Sequence, residues 1–71
     1  MNQQVRKGQA PKSIDRVDKG NPRIPGNKDH VHFKDGTALN YDGSISHEGN
    51  GVPQMTRSIR FWLIRNGWKL P

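Results

Sequence analysis

None of the 71 residues is a cysteine. That excludes a disulfide framework, a thiolate zinc site and a thiol nucleophile, so a chain near the lower size limit for independent folding must hold together by packing or through a partner. Long apolar runs are also lacking. Only 30% of residues are hydrophobic, the mean hydropathy is −1.00, and nothing approaches the roughly 18 consecutive apolar residues of a membrane helix. The opening MNQQVRKGQAPKS has no apolar core of a secretory leader, so neither a membrane span nor a signal peptide is expected. The length allows one small domain and excludes a large multi-step enzyme.

Acidic side chains are few: 6 Asp and Glu stand against 12 Lys and Arg, giving +6 and a pI near 10.4. Such an excess is the electrostatic footprint of a protein that meets polyanions. Its distribution is uneven, at +5 over residues 1–28, −3 over 29–52 and +4 over 53–71. An acidic, His-containing middle between basic ends suits a nuclease better than a passive binder, because carboxylates repel phosphate unless chemistry requires them.

Three segments follow from the pattern. Residues 1–28 carry Pro11, Pro22, Pro25, Gly8, Gly20 and Gly26 with little apolar content, and read as an extended basic segment with one short strand at 13–17. Residues 29–48 alternate, with Val31 and Phe33 on one face and His30, His32 and Lys34 on the other, and two Asp-Gly pairs, Asp35-Gly36 and Asp42-Gly43, divide them into a three-stranded meander. Three-residue loops at 35–37 and 42–44 pair Phe33 with Leu39, Val31 with Tyr41 and Tyr41 with Ile45. One face is then wholly apolar, and His32, Asn40 and Ser46 form one row on the other. Residues 56–66 form a helix with Thr56 as N-cap, Gly67 just past its end, and Ile59, Trp62 and Leu63 on one stripe that covers the sheet. Phe61 and Ile64 fall outside that stripe among Arg57, Arg60 and Arg65, where Trp68 or another chain would cover them. The fold class is α+β, a three- or four-stranded antiparallel sheet with one C-terminal helix.

Three stretches together resemble a known group: APKSIDRVD at 10–18, the run H-x-H-F-x-D-G-x-x-L-N-x-D-G at 30–43, and Trp62-Leu63 with Asn66-Gly67-Trp68. They look like the C-terminal toxin modules of bacterial polymorphic toxins, carried by contact-dependent-inhibition, Rhs-type and related secreted effectors. The resemblance covers roughly residues 8–69. It departs after the second Asp-Gly, where Ser46-His47-Glu48-Gly49 stands in place of a His-Asp-x-His-like stretch. The resemblance implies a module secreted as part of a larger effector, acting as a ribonuclease in the cytoplasm of a target bacterium and neutralised by a cognate immunity protein. With +6 on the toxin, that inhibitor is expected to be acidic and the free domain monomeric.

Metal-independent RNA cleavage needs a base for the 2′-OH proton, an acid for the departing 5′-oxygen, and cations for the phosphorane. The candidates for acid-base work are His30, His32, His47 and Glu48. Lys12, Asp15 and Arg16 recur as a block in the resemblance, which gives Asp15 the task of orienting a His or joining the pair. Lys12, Arg16, Lys28, Lys34, Arg57 and Arg60 are the candidate phosphate contacts. No cofactor and no metal are expected, because the carboxylates form no compact cluster and the His are loosely spaced in sequence. Asp35 and Asp42 read as turn residues, Glu48 beside Lys34 also fits a cross-strand ion pair, and Trp62 and Trp68 read as core. Two other readings stay open: a metal-dependent DNase of the His-Asn-His type, from Asp29-His30, Asn40 and His47 in that order, and a nucleic-acid-binding module without catalysis.

Overall fold

Five elements follow one another in the computed structural model: α1 (Asn2–Arg6), β1 (Ile14–Asp18), β2 (His30–Phe33), β3 (Ala38–Asn40) and α2 (Arg57–Arg65). Residues 1–46 and 49–71 are described; the expectations placed on His47 and Glu48, including the Glu48–Lys34 pair, lie outside the described residues. The three strands form one antiparallel sheet in the order β1-β2-β3, so the expected α+β class with a C-terminal helix stands.

β2 is central because its alternation serves two layers at once. Val31 and Phe33 are buried with Ile14 of β1 and Leu39 of β3 against Ile59, Trp62 and Leu63 of α2, while His30 and His32 point to the opposite face. The helix begins where Thr56 Oγ1 accepts from Ile59 N. It stops in a Schellman arrangement, with Gly67 N donating to Ile64 O (3.0 Å) and Trp68 N to Leu63 O (2.9 Å). This stop turns Trp68 back into the core, where its Nε1 donates to Leu39 O at 3.4 Å. Trp68 therefore does not cover Phe61 and Ile64, which remain 59% and 56% exposed.

The expected hairpin register is displaced by two residues. Val31 faces Leu39, His30 faces Asn40 and His32 faces Ala38, in place of Val31 with Tyr41 and Phe33 with Leu39. The cause is the turn chemistry. Gly36 N donates to Phe33 O (3.1 Å) and Phe33 N to Thr37 O (2.8 Å), so the loop is Lys34, Asp35 and Gly36 and not 35–37. The Asp35 carboxylate turns forward to accept from Thr37 N (2.9 Å) and Thr37 Oγ1 (2.6 Å). The second turn repeats this: Gly43 N donates to Asn40 O, Asn40 N to Ser44 O, and Asp42 Oδ1 accepts from Ser44 N and Oγ. Gly36 (φ 92°) and Gly43 (φ 91°) hold the left-handed position that closes each loop, which a side chain would strain. A two-residue displacement preserves which face each side chain occupies, so the apolar and polar faces survive the error.

Two further expectations are corrected. The third strand of the meander reduces, among the described residues, to one bridge between Ile45 and Leu39. The sheet's third strand is β1, on the other edge of β2, where Ile14 and Val17 add two apolar side chains to the Val31/Phe33 face while Ile45 adds one. Residues 1–28 are also not simply extended, since α1 precedes the strand found close to its expected place. A helix of five residues is unstable alone. It is held by tertiary bonds: Asn2 Oδ1 accepts from Val17 N (2.8 Å), Asn2 Nδ2 donates to Val17 O (2.7 Å), and Trp62 Nε1 donates to Gln4 Oε1 (3.1 Å). The Asn2 amide thus caps the backbone N–H and C=O of one residue of an edge strand.

Leu63 is fully buried and Ile64 beside it is exposed. Leu63→Ala is expected to cost about 3 kcal/mol by transfer and cavity terms, and Ile64→Ala less than about 0.5 kcal/mol. Urea unfolding of both variants measures the contrast, and equal losses would contradict this packing.

Candidate functional site

Pairing of β1 with β2 sets Arg16 opposite His32 and Asp18 opposite His30, on the face away from α2. A register irregularity between Ile14 and Arg16 lets Ile14 point into the core while Arg16 and Asp18 keep the polar face. Asp18 becomes the hub. Its Oδ2 lies 3.2 Å from His32 Nε2, 3.7 Å from His30 Nε2 and 3.1 Å from Arg16 Nε. The two imidazoles meet edge to face with centroids 4.7 Å apart. Their side chains are 6% and 13% exposed and that of Asp18 36%, so the group is a partly sheltered cluster with an open side at the carboxylate.

His30 is fixed from behind. Its Nδ1 lies 2.8 Å from Lys28 O. A carbonyl oxygen only accepts, so Nδ1 carries the proton, and Nε2 is the nitrogen presented to Asp18 and His32. Lys28 is itself anchored, with Nζ 2.6 Å from Asp42 Oδ2. Asp29 Oδ1 accepts from Gly20 N (2.7 Å), tying the 20–29 loop down beside the site. A recess of about 220 Å³ opens there, lined by Ile24, Pro25, Lys28, His30, Asn40 and Ser46 among others. That is below the usual range of about 300 to 1,000 Å³ for small-molecule sites, so the recess suits one group projecting from a larger molecule. The residues brought to it are His30, Asn40 and Ser46, not the expected row of His32, Asn40 and Ser46.

Of the expected acid-base residues, His30 and His32 come together and His47 and Glu48 lie outside the described residues. Asp15 is exposed and lies 3.6 Å from Arg16 Nη1; among the described residues the carboxylate at the histidines is Asp18. Sequence reasoning missed Asp18. The signal was available in Arg16-Val17-Asp18, where a core-facing Val17 puts its two neighbours on the other face, but only once β1 is known to pair with β2. The three side chains offer ligand atoms all within 4.8 Å of one another, a convergence that the loose sequence spacing did not suggest.

The basic residues divide into two sets. Lys12 and Lys34, with Asp15, line one hollow at the Ile14 end of β1, and neither lysine has an ion pair among the described residues. Arg16 is paired with Asp18 and Asp15, and Lys28 with Asp42. Arg57 and Arg60 sit on α2, across the sheet from the histidines, so one flat surface cannot present both sets. α2, RSIRFWLIR, carries no His, Asp or Glu, and thus no usual side-chain ligand for the metal of a His-Asn-His site.

No known protein family, curated protein or solved structure matches the chain.

Asp42 is held far below its ordinary value of 3.8, first by the Lys28 hydrogen bond and then by the Ser44 hydroxyl and amide. Asp35 is lowered by the Thr37 hydroxyl and amide, and Lys28 is raised by its bond to Asp42 and that group's charge. A carboxyl depressed by folding contributes stability that is present above its unfolded value and lost as pH falls through the folded one. The urea midpoint of the wild type is therefore expected to exceed that of Asp42→Asn at pH 7, with the gap closing towards pH 2. A gap that is the same at both pH values would show that the Asp42 charge does not hold this loop.

Proposed function

We propose that this domain is a ribonuclease toxin that cleaves RNA by metal-independent acid-base chemistry at His30 and His32, with Asp18 as their shared counter-charge. The observation that carries the reading is the meeting of both imidazoles at one carboxylate oxygen, on the polar face of a sheet in a chain of net charge +6. One imidazole in its neutral form removes the 2′-OH proton, and the 2′-oxygen attacks phosphorus. The P–O5′ bond breaks, the other imidazole, protonated, gives its proton to the 5′-oxygen, and a 2′,3′-cyclic phosphate remains. Asp18 balances whichever imidazole is charged. Arg16, within hydrogen-bond distance of Asp18, orients it and adds positive charge near the phosphorane. Lys12 and Lys34, which have no ion pair among the described residues, supply cations for flanking phosphates, and the recess beside His30 receives one base or sugar.

The resemblance to polymorphic-toxin modules adds the setting: secretion within a larger effector, action in the cytoplasm of a target bacterium, and restraint by an acidic immunity protein. The exposed Phe61 and Ile64 among Arg57, Arg60 and Arg65 make α2 the surface for that inhibitor, on the side away from the histidines. Inhibition then works by steric exclusion of RNA and not by direct contact with His30 or His32.

Purified domain incubated with total bacterial RNA is expected to cleave it equally with and without EDTA, and His32→Ala is expected to lower the rate by about two to four orders of magnitude while leaving the fold intact. Full activity in that variant, or activity lost in chelator and restored by a divalent metal, would overturn the mechanism. For the partner, association with the inhibitor is expected to slow as salt rises and to weaken in Arg57→Glu/Arg60→Glu, because exposed charges are screened beyond about 8 Å at physiological ionic strength. A rate indifferent to both would remove α2 as the docking face.

A further inference from the structure

We infer that Asp18, His30 and His32 form a binding site for a borderline divalent cation of the zinc class, and that the bound ion inhibits the domain. The binding rests on the geometry alone; the inhibition rests on the acid-base reading above. Zinc takes nitrogen ligands at about 2.0 to 2.1 Å and carboxylate oxygen at about 2.0 to 2.2 Å in a tetrahedron, which places neighbouring ligand atoms about 3.4 Å apart. Asp18 Oδ2 stands 3.2 Å from His32 Nε2 and 3.7 Å from His30 Nε2. All the ligand atoms lie within 4.8 Å of one another, so a small approach of the two imidazoles completes three corners.

The surroundings favour such an ion. The proton on His30 Nδ1 is committed to Lys28 O, which leaves Nε2 as the donor nitrogen in the neutral ring, the outer-shell arrangement that orients metal-bound histidines. Asp18 and His30 are direct cross-strand partners and His32 follows two residues on, so paired backbone and not a loop sets the spacing. Two imidazoles with one carboxylate suit zinc, copper or nickel, whereas calcium and magnesium prefer all-oxygen shells. Arg16 competes with the ion for Asp18, but its Nε also reaches Oδ1 at 3.2 Å, so it can stay hydrogen-bonded while Oδ2 turns to the metal. An ion at this point takes both Nε2 atoms, among them the His30 nitrogen that the Lys28 bond does not engage, and draws the His32 ring onto the metal. Occupancy and catalysis then exclude each other, and zinc acts as an inhibitor and not as a cofactor.

The test is calorimetric titration of the chelator-washed domain with zinc chloride, alongside NMR of the histidine rings. One ion per chain is expected, with the His30 and His32 ring signals shifting together. His32→Ala and Asp18→Asn are each expected to weaken binding at least ten-fold, and Asp15→Asn to leave it within two-fold. No saturable one-to-one binding, ring shifts confined to other groups, or unchanged affinity in both His32→Ala and Asp18→Asn would overturn the site. The wild-type ring shifts decide the matter if a variant fails to fold. In a parallel RNA assay, zinc is expected to stop cleavage at the concentration that fills the site. Binding by a domain that cuts no RNA keeps the metal site and removes the nuclease reading. Cleavage without any binding does the reverse. Cleavage undiminished at full occupancy overturns the inhibition.

Discussion

The antiparallel pairing of β1 with β2 is the constraint on which the rest of the structure depends. It sets Asp18 beside His30 and Arg16 beside His32 on one face, and through Val17 and Ile14 it completes the apolar surface on the other. A slip of one residue would exchange the faces, burying charge under α2 and exposing Val17. The core and the polar cluster therefore share one determinant: the same apolar burial that seats α2 fixes the distance between a carboxylate and two imidazoles. Asn2 reinforces the arrangement from the open edge by bonding both the backbone N–H and the C=O of Val17.

The polar face carries its own support. Lys28 links the two halves of that support, giving its carbonyl to His30 and its ammonium to Asp42 of the second turn. That turn repeats the first residue for residue, with Asp, Gly and then Thr or Ser closing the loop by the same side-chain bonds. Local turn chemistry thereby acts at a distance, since the Asp42 loop helps to hold the backbone oxygen that selects the tautomer of His30. Such preorganisation is what proton transfer asks of a scaffold: groups held in place by packing and outer hydrogen bonds.

Much of this was legible in the residues, for identifiable reasons. Thr56, Gly67 and the Ile59, Trp62 and Leu63 stripe are local signals, and the helix formed where they placed it. The alternation across His30, Val31, His32 and Phe33 likewise separated core from polar face. The hairpin register was harder, because Asp-Gly was read as the opening of a loop when Asp35 and Asp42 are the residues just before its left-handed closing position. Two features were not legible without knowledge of the tertiary contacts. α1 is held by Asn2 and Gln4 reaching Val17 and Trp62, contacts 15 and 58 residues away, which no local propensity reveals. Asp18 enters the cluster only through the β1–β2 pairing, so reasoning from the sequence settled on Asp15, the neighbour that the bulge leaves exposed beside Arg16.

If the pairing makes one reacting unit of Asp18 and His32, their contributions to RNA cleavage cannot be independent. A double-mutant cycle measures this directly, from the single-turnover cleavage rates of wild type, Asp18→Asn, His32→Ala and the double variant on one RNA substrate. The account predicts that each single change lowers the rate sharply and that the double variant is little slower than His32→Ala alone. Losses that simply multiply, or an Asp18→Asn variant as fast as the wild type, would contradict it.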